Sequence, residues 1–190
     1  MQQLLDAVGA VPGELAGRVA VVTGASRGIG RAAAVALAAL GAQVAVVDTA
    51  DAGEQAAEQI RAAGGVARFF RADVADEAAV AHLSRAVRAE LDAASIVVNN
   101  AILCPVAPVE QMSTALWDRV VAVNLRGAFL VTRAFLAQLR AAEKGTLVNM
   151  VSTDAMPGLS AYRASKQGLV GLTQSLAAEV GEGLERLKAI

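Results

Sequence analysis

The 190-residue chain holds a single cysteine, a single histidine, one tryptophan and one tyrosine. A lone Cys104 excludes an internal disulfide, and Cys104 with His82 is too little for a Cys/His zinc cluster, so no metal site is expected. Aromatic residues make up only 3% against 55% apolar residues, which favours tightly layered α/β packing of small side chains over an aromatic-rich β-sandwich. Charge of one sign is also missing. Seventeen basic residues face 18 acidic ones with no long run of Lys or Arg, which removes a nucleic-acid footprint. Met1 to Glu14 lacks a basic n-region and carries Asp6, unlike a secretory signal. The most apolar stretch, Ala32 to Val47, is mostly alanine and contains Gly41 and Gln43; it divides into a helix and a strand and does not suit a bilayer. The expectation is a cytoplasmic protein with no membrane or nucleic-acid partner and enough length for one substantial core.

What is present is alternation. Residues 1–16 read as an extension in which Leu4, Leu5 and Val8 share one face of a short helix that Pro12-Gly13 ends. From residue 17 to 190 short apolar runs alternate with longer helical patterns. Strands are predicted at 18–23, 43–48, 66–71, 95–99 and 146–151, and helices at about 28–40, 51–63, 76–91, 113–141 and 160–180. Ile96-Val97-Val98 and Thr146 to Val151 are apolar on both faces, as strands of a parallel sheet covered on each side must be. The predicted architecture is α/β: a doubly wound parallel sheet in three layers. Ligands of such a sheet bind beyond the C-terminal strand ends. Thr23 to Gly30, Asp48, Asp73-Val74, Asn99-Asn100-Ala101 and Ser152 all fall there.

Thr23-Gly24-Ala25-Ser26-Arg27-Gly28-Ile29-Gly30 follows the first apolar run and opens the alanine-rich helix. Glycines permit a tight turn and close approach of a ligand, and a helix start presents unpaired N–H groups and a positive dipole end to a phosphate. Asp48 ends the second strand 18 residues after Gly30, about where a dinucleotide-binding unit keeps the carboxylate that accepts from the adenosine ribose hydroxyls. Tyr162 and Lys166, four apart, share one helix face. A neighbouring cation favours phenolate, so a tyrosine placed this way can exchange a proton near neutral pH. Asn124 is a poor residue for a helix interior because its side chain competes for backbone groups.

Thr-Gly-x-x-x-Gly-x-Gly at 23–30, Asn-Asn-Ala at 99–101, Trp117 to Phe129 with Asn124 inside, Ser152, and Tyr162-x-x-x-Lys166 together resemble the classical short-chain dehydrogenase/reductase family over about residues 17–190. The resemblance implies a Rossmann-type fold and a catalytic set of Asn124, Ser152, Tyr162 and Lys166. Tyr162 would be the acid/base, and Lys166 would lower its pKa and hold the nicotinamide ribose. Ser152 would bond the substrate oxygen; it is preferred to Ser160 because it directly follows a strand. Asn124 would open a helix kink and link water to the lysine. Gly24, Ser26, Arg27, Gly28, Ile29, Gly30, Asp48, Asp73, Val74, Asn100 and Ala101 would bind cofactor together with Tyr162 and Lys166. Asn99 would fix the loop shape and border the adenosine ribose. Asp73 with Val74 would flank the adenine, or Asp73 would serve the start of the next helix through its dipole.

Three features depart from the family pattern. Ile102 stands where glycine is usual and narrows the adenosine side, only ten residues separate Ser152 from Tyr162, and the sequence ends at Ile190 without the last strands and substrate lid. Residues 183–190 would begin the next strand, leaving one sheet edge uncovered, in either a fragment or a truncated relative. Cofactor choice is a contest between Asp48, which repels a 2′-phosphate, and Arg27, which attracts one. With Thr49 bringing no positive charge beside Asp48, NAD(H) is expected over NADP(H). The expected activity interconverts a secondary alcohol and a ketone, on a hydrophobic substrate facing Leu103 to Val106 and Asp154 to Leu159. The alternative is a catalytically weak dinucleotide-binding or assembly protein. Leu130, Phe135, Leu169, Leu172 and Leu176 suggest more apolar helix surface than one sheet face needs, and the resemblance implies a homodimer or homotetramer.

Overall fold

A computed structural model describes residues 11–152, 156–180 and 186–189, the last as backbone only. The predicted helix carrying Leu4, Leu5 and Val8 lies outside the described residues. Five strands fall where the apolar runs predict: β1 Val19–Thr23, β2 Gln43–Asp48, β3 Val66–Arg71, β4 Ala94–Asn99 and β5 Thr146–Asn149. A further strand, β6 Arg186–Ala189, pairs with β5 from Thr146↔Arg186 to Asn149↔Ala189. All pairings are parallel, in the order β3-β2-β1-β4-β5-β6. The order reverses beside β1, so a crevice opens between the ends of β1 and β4.

Side-chain alternation divides the strands between two cores. Val19, Val21, Ala45, Val47, Val97 and Leu147 face one side, with Leu83 and Val87 of α3 (Glu77–Glu90) and Leu130, Phe135 and Leu139 of α5 (Gly127–Ala141). Leu176 of α6 (Ser160–Val180) packs against the same cluster. Ala20, Val22, Val44, Val46, Ile96 and Val98 face the other side, with Ala34 of α1 (Gly28–Ala39) and Ala56, Ala57 and Ile60 of α2 (Ala52–Ala62). The alanines let α1 and α2 lie close to the sheet. At the bottom of the sheet, Arg18 donates to Ser95 O at 3.1 Å and to Lys144 O at 2.5 Å, tying the starts of three strands together.

Several boundaries differ from the sequence expectation. The single helix expected at 113–141 is α4 (Thr114–Val121), a π-helical turn Ala122–Arg126, and α5. Thr114–Ala141 is long and apolar enough by composition to cross a membrane, but half of its apolar window is buried within the fold. β5 stops at Asn149, two residues before the expected end; Met150 N makes the last bond to β4, donating to Asn99 O at 3.1 Å. Leu130, Phe135 and Leu169, expected to offer spare surface, are spent on the protein's own interior; the exposed large residues of α4 and α5 are Trp117 and Phe129. Asp73 does not serve a helix start. Asp76 caps α3, accepting from Ala78 N and Ala79 N at 2.8 and 3.1 Å.

Candidate functional site

The turn after β1 is set by two glycines with positive φ, Gly24 (+64°) and Gly28 (+55°). It is pinned to the end of β4. Thr23 Oγ1 accepts from Asn100 N and Ala101 N at 3.0 and 3.1 Å, and Asn100 Nδ2 donates to Thr23 O and Gly24 O at 2.9 and 3.0 Å. This clamp explains Gly30: a Cβ there would lie 2.3 Å from both Asn100 Nδ2 and Gly24 O. In front of Gly28, by contrast, a Cβ would meet nothing. The start of α1 has no side-chain cap and no acidic residue in its first turn, so its amides are available to an anion.

The turn opens on a cavity of about 350 Å³, within the range of small-molecule sites. Gly24, Arg27, Gly28, Ile29 and Gly30 line one side; Asp48 and Thr49 follow β2; Asp73 and Val74 follow β3; Asn100, Ala101, Ile102 and Leu103 follow β4. Gly24, Arg27, Gly28, Ile29, Gly30, Asp48, Asp73, Val74, Asn100 and Ala101, expected from separate loops to bind cofactor, share one cavity; Ile102 stands on its wall, and Leu103, expected to face substrate, lines it too. Ser26 differs. It is buried and absent from the lining, and its backbone N donates to Asp48 Oδ2 at 3.1 Å. Asp48 Oδ1 accepts from Ala50 N at 3.1 Å, so this carboxylate braces the glycine turn and the loop after β2 together. Asn99 also differs. It ends β4 buried, its Nδ2 donating to Asn149 Oδ1 at 2.8 Å and to Thr132 Oγ1 at 3.1 Å, turned into the sheet–α5 interior and away from the cavity.

Two arginines were missed by the sequence reading. Arg119 of α4 lines the cavity and donates through Nη2 to Asp73 Oδ2 at 2.8 Å. Burial raises the Asp73 carboxyl, but the Arg119 hydrogen bond, the Ala75 N–H and the Arg119 charge outweigh it and hold the group below its usual range. Arg71 stands opposite Asp48 in the β2–β3 ladder, donates to Thr49 O at 2.8 Å and ion-pairs with Asp51. Thr49 itself brings no positive charge beside Asp48, as expected, but the neighbouring strand does. Strand-to-strand proximity supplies that charge, and nothing local in the sequence signals it.

The remaining candidates gather around α6, and none of them lines the cavity. Lys166 is 1% exposed, with Nζ 5.7 Å from the Tyr162 ring centroid and donating to Met150 O. Burial drives its pKa down from 10.5 to about 8, opposed by the negative charge available at Cys104. Asn124 lies in the π-helical turn, fully buried. Its Oδ1 accepts from Leu103 N at 2.7 Å, and its Nδ2 donates to Leu103 O at 2.8 Å and Ser165 Oγ at 3.1 Å. Ser165 Oγ in turn donates to Tyr162 O at 2.6 Å. Asn124 thus joins the loop after β4 to the helix turn that carries Tyr162. The widened turn is the physical outcome of the misfit asparagine in a helix. Ser152 presents its carbonyl to Arg163 Nη1 and, at 3.5 Å, to Gln167 Nε2, which holds the end of its loop on α6. The central part of that loop, with Asp154, lies outside the described residues; Gly158 O accepts from Ala107 N at 2.9 Å.

Residues 18–184 match the family model described as short chain dehydrogenase. The chain is 44% identical over 171 residues to a D-threitol dehydrogenase of Mycolicibacterium smegmatis, covering 88% of this chain and 66% of that protein. It is 36% identical to a D-beta-hydroxybutyrate dehydrogenase of Cupriavidus necator, covering 88% and 67%. Among solved structures it is similar to a metagenomic short-chain oxidoreductase in complex with NADP, with a TM-score of 0.86, 37% identity, and coverage of 91% and 81%. The chain spans about two thirds of the length of these curated relatives.

Proposed function

The chain belongs to the short-chain dehydrogenase family, and on that premise we propose that it interconverts a secondary alcohol and a ketone with a nicotinamide dinucleotide, NAD(H) in preference to NADP(H). The observation that carries the reading is the pairing of an anion-ready glycine turn with a tyrosine whose helix face also holds a buried lysine. The cavity fits a dinucleotide: open space before Gly28, uncapped amides at α1, and carboxylates at the ends of β2 and β3. When bound, that cofactor supplies the acceptor or donor of hydride.

The chain's own residues divide the rest of the work. Tyr162 exchanges the proton of the substrate oxygen through its phenol Oη, and a charged Lys166 stabilises the phenolate form. Ser152 donates to the same oxygen as charge develops on it. Asn124 keeps the loop after β4 and α6 in register through Leu103 and Ser165. Asp48 accepts from the adenosine ribose hydroxyls and disfavours a 2′-phosphate, while Arg27, Gly28, Ile29 and Gly30 enclose the pyrophosphate. Exposed Val106, Val109 and Met156 support a hydrophobic alcohol or ketone. Trp117 and Phe129 support association into a homodimer or homotetramer.

The test is turnover of a ketone panel with NADH by wild type and Tyr162→Phe, alongside NADH binding. Turnover that disappears in Tyr162→Phe while binding persists is expected; full turnover in that variant would end the reading. None of Asn124, Ser152, Tyr162 and Lys166 lines the cavity of the glycine turn, which favours a second reading, a dinucleotide-binding protein without efficient chemistry. NADH binding by the wild type with no turnover on any ketone would select it.

A further inference from the structure

We propose that Arg119 forms the outer wall of the base-binding end of the cavity, with Asp73 holding its guanidinium so that the flat face stacks on a purine. The inference rests on the dinucleotide reading above and adds to it a residue at the end remote from the chemistry. That end of the cavity is built by Asp73 and Val74 after β3, Leu103 after β4, and Val123 and Arg119 from the α4 side. Its floor is apolar and rigid. Val74 is buried, and Gly127 of α5 packs so tightly on it that a Cβ there would lie 2.8 Å from Val74 Cγ2.

Among the described lining residues, Arg119 is the one cation at this end; Arg27 stands on the glycine turn. Asp73 engages both carboxylate oxygens within the protein, Oδ1 with Ala75 N at 2.9 Å and Oδ2 with Arg119 Nη2 at 2.8 Å. A carboxylate anchored to its own loop is a fixed post for the guanidinium. The Arg119 side chain is 51% exposed, which leaves its planar group open to a ligand. Arginine stacks on flat π-systems where lysine, a compact point charge, does not. A purine between an apolar floor and a guanidinium is held on both faces. Asp73 is then a positioning residue that acts through Arg119.

The experiment uses nicotinamide fluorescence to titrate NADH, its hypoxanthine analogue deamino-NADH, and reduced nicotinamide mononucleotide, which lacks the base. Stacking uses the ring face and not the 6-amino group, so wild type should bind NADH and deamino-NADH about equally. Arg119→Ala should weaken both by about tenfold, with Arg119→Lys nearly as weak and the mononucleotide unchanged. Asp73→Asn should weaken binding less, and should add nothing in the Arg119→Ala background. NADH binding unchanged in Arg119→Ala, or an equal loss for the mononucleotide, overturns the inference. So does a large wild-type preference for NADH over deamino-NADH with additive effects, which would put Asp73 on the adenine amino group. Wild-type protein that binds no dinucleotide removes the cofactor reading and this inference with it; an unchanged Arg119→Ala removes this inference alone.

Discussion

Replacing Lys166 with methionine should stabilise the cofactor-free protein at neutral pH and remove one component of its pH dependence. Lys166 is 1% exposed, and burial lowers its pKa from 10.5 to about 8. That difference disfavours the charged form in the folded state by about 3 kcal/mol. Loss of the Nζ–Met150 O hydrogen bond takes back about 1 kcal/mol, so Lys166→Met should be more stable by about 2 kcal/mol at pH 7. The direction with pH follows from proton counting. Between about 8 and 10.5 the unfolded chain keeps the Lys166 proton and the folded protein does not, so unfolding takes up a proton and wild-type stability rises with pH across that window. Lys166→Met lacks this rise. The advantage of the variant should therefore shrink from pH 8 upward, reach zero at about pH 9.5 and leave the variant about 1 kcal/mol less stable above pH 10.5. Urea unfolding followed by the fluorescence of Trp117, from pH 6.5 to 10.5, reads both curves. Parallel curves, or a variant less stable than wild type at every pH, would refute the burial argument.

At Gly30 an added Cβ would meet Gly24 O and Asn100 Nδ2, each at 2.3 Å. Gly30→Ala should therefore cost about 1–3 kcal/mol in unfolding free energy and abolish NADH binding. Gly171→Ala on α6, where the new methyl meets open space, should instead stabilise by about 0.5–1 kcal/mol; equal effects of the two changes in denaturation would contradict the clamp. Asp48→Asn leaves one oxygen for two backbone donors, Ser26 N and Ala50 N, and removes the charge that repels a 2′-phosphate. The NADH-over-NADPH preference should fall about tenfold or more by fluorescence titration; an unchanged ratio would separate Asp48 from cofactor choice.

Much of the candidate site was legible because its signals are local. A positive φ at Gly24 and Gly28 needs glycine whatever surrounds it, so the turn could be read from the motif. Strands apolar on both faces announce a covered parallel sheet, and that sheet places Asp48, Asp73 and Asn100 at one end. Asn124 was conspicuous as a misfit in a helix, and the π-helical turn is the form the misfit takes. Other features were not legible. Asn99 and Asn100 are neighbours of identical type, yet one turns into the core against Asn149 and the other clamps the glycine turn. Strand pleat decides between them, and it depends on which face β4 gives to α5. Ser26 belonged to the motif but is occupied by Asp48.

The sequence by itself determined the order of strands and helices, the glycine turn, and the spacing that puts Tyr162 and Lys166 on one helix face. Each depends on backbone conformation and short-range periodicity. Only the tertiary structure decided the partners: Arg119 on Asp73, Arg71 opposite Asp48, and Lys166 buried against Met150 O. Those contacts join residues far apart in the chain. Their strength comes from burial and from the register of neighbouring strands, which exist only once the sheet has assembled.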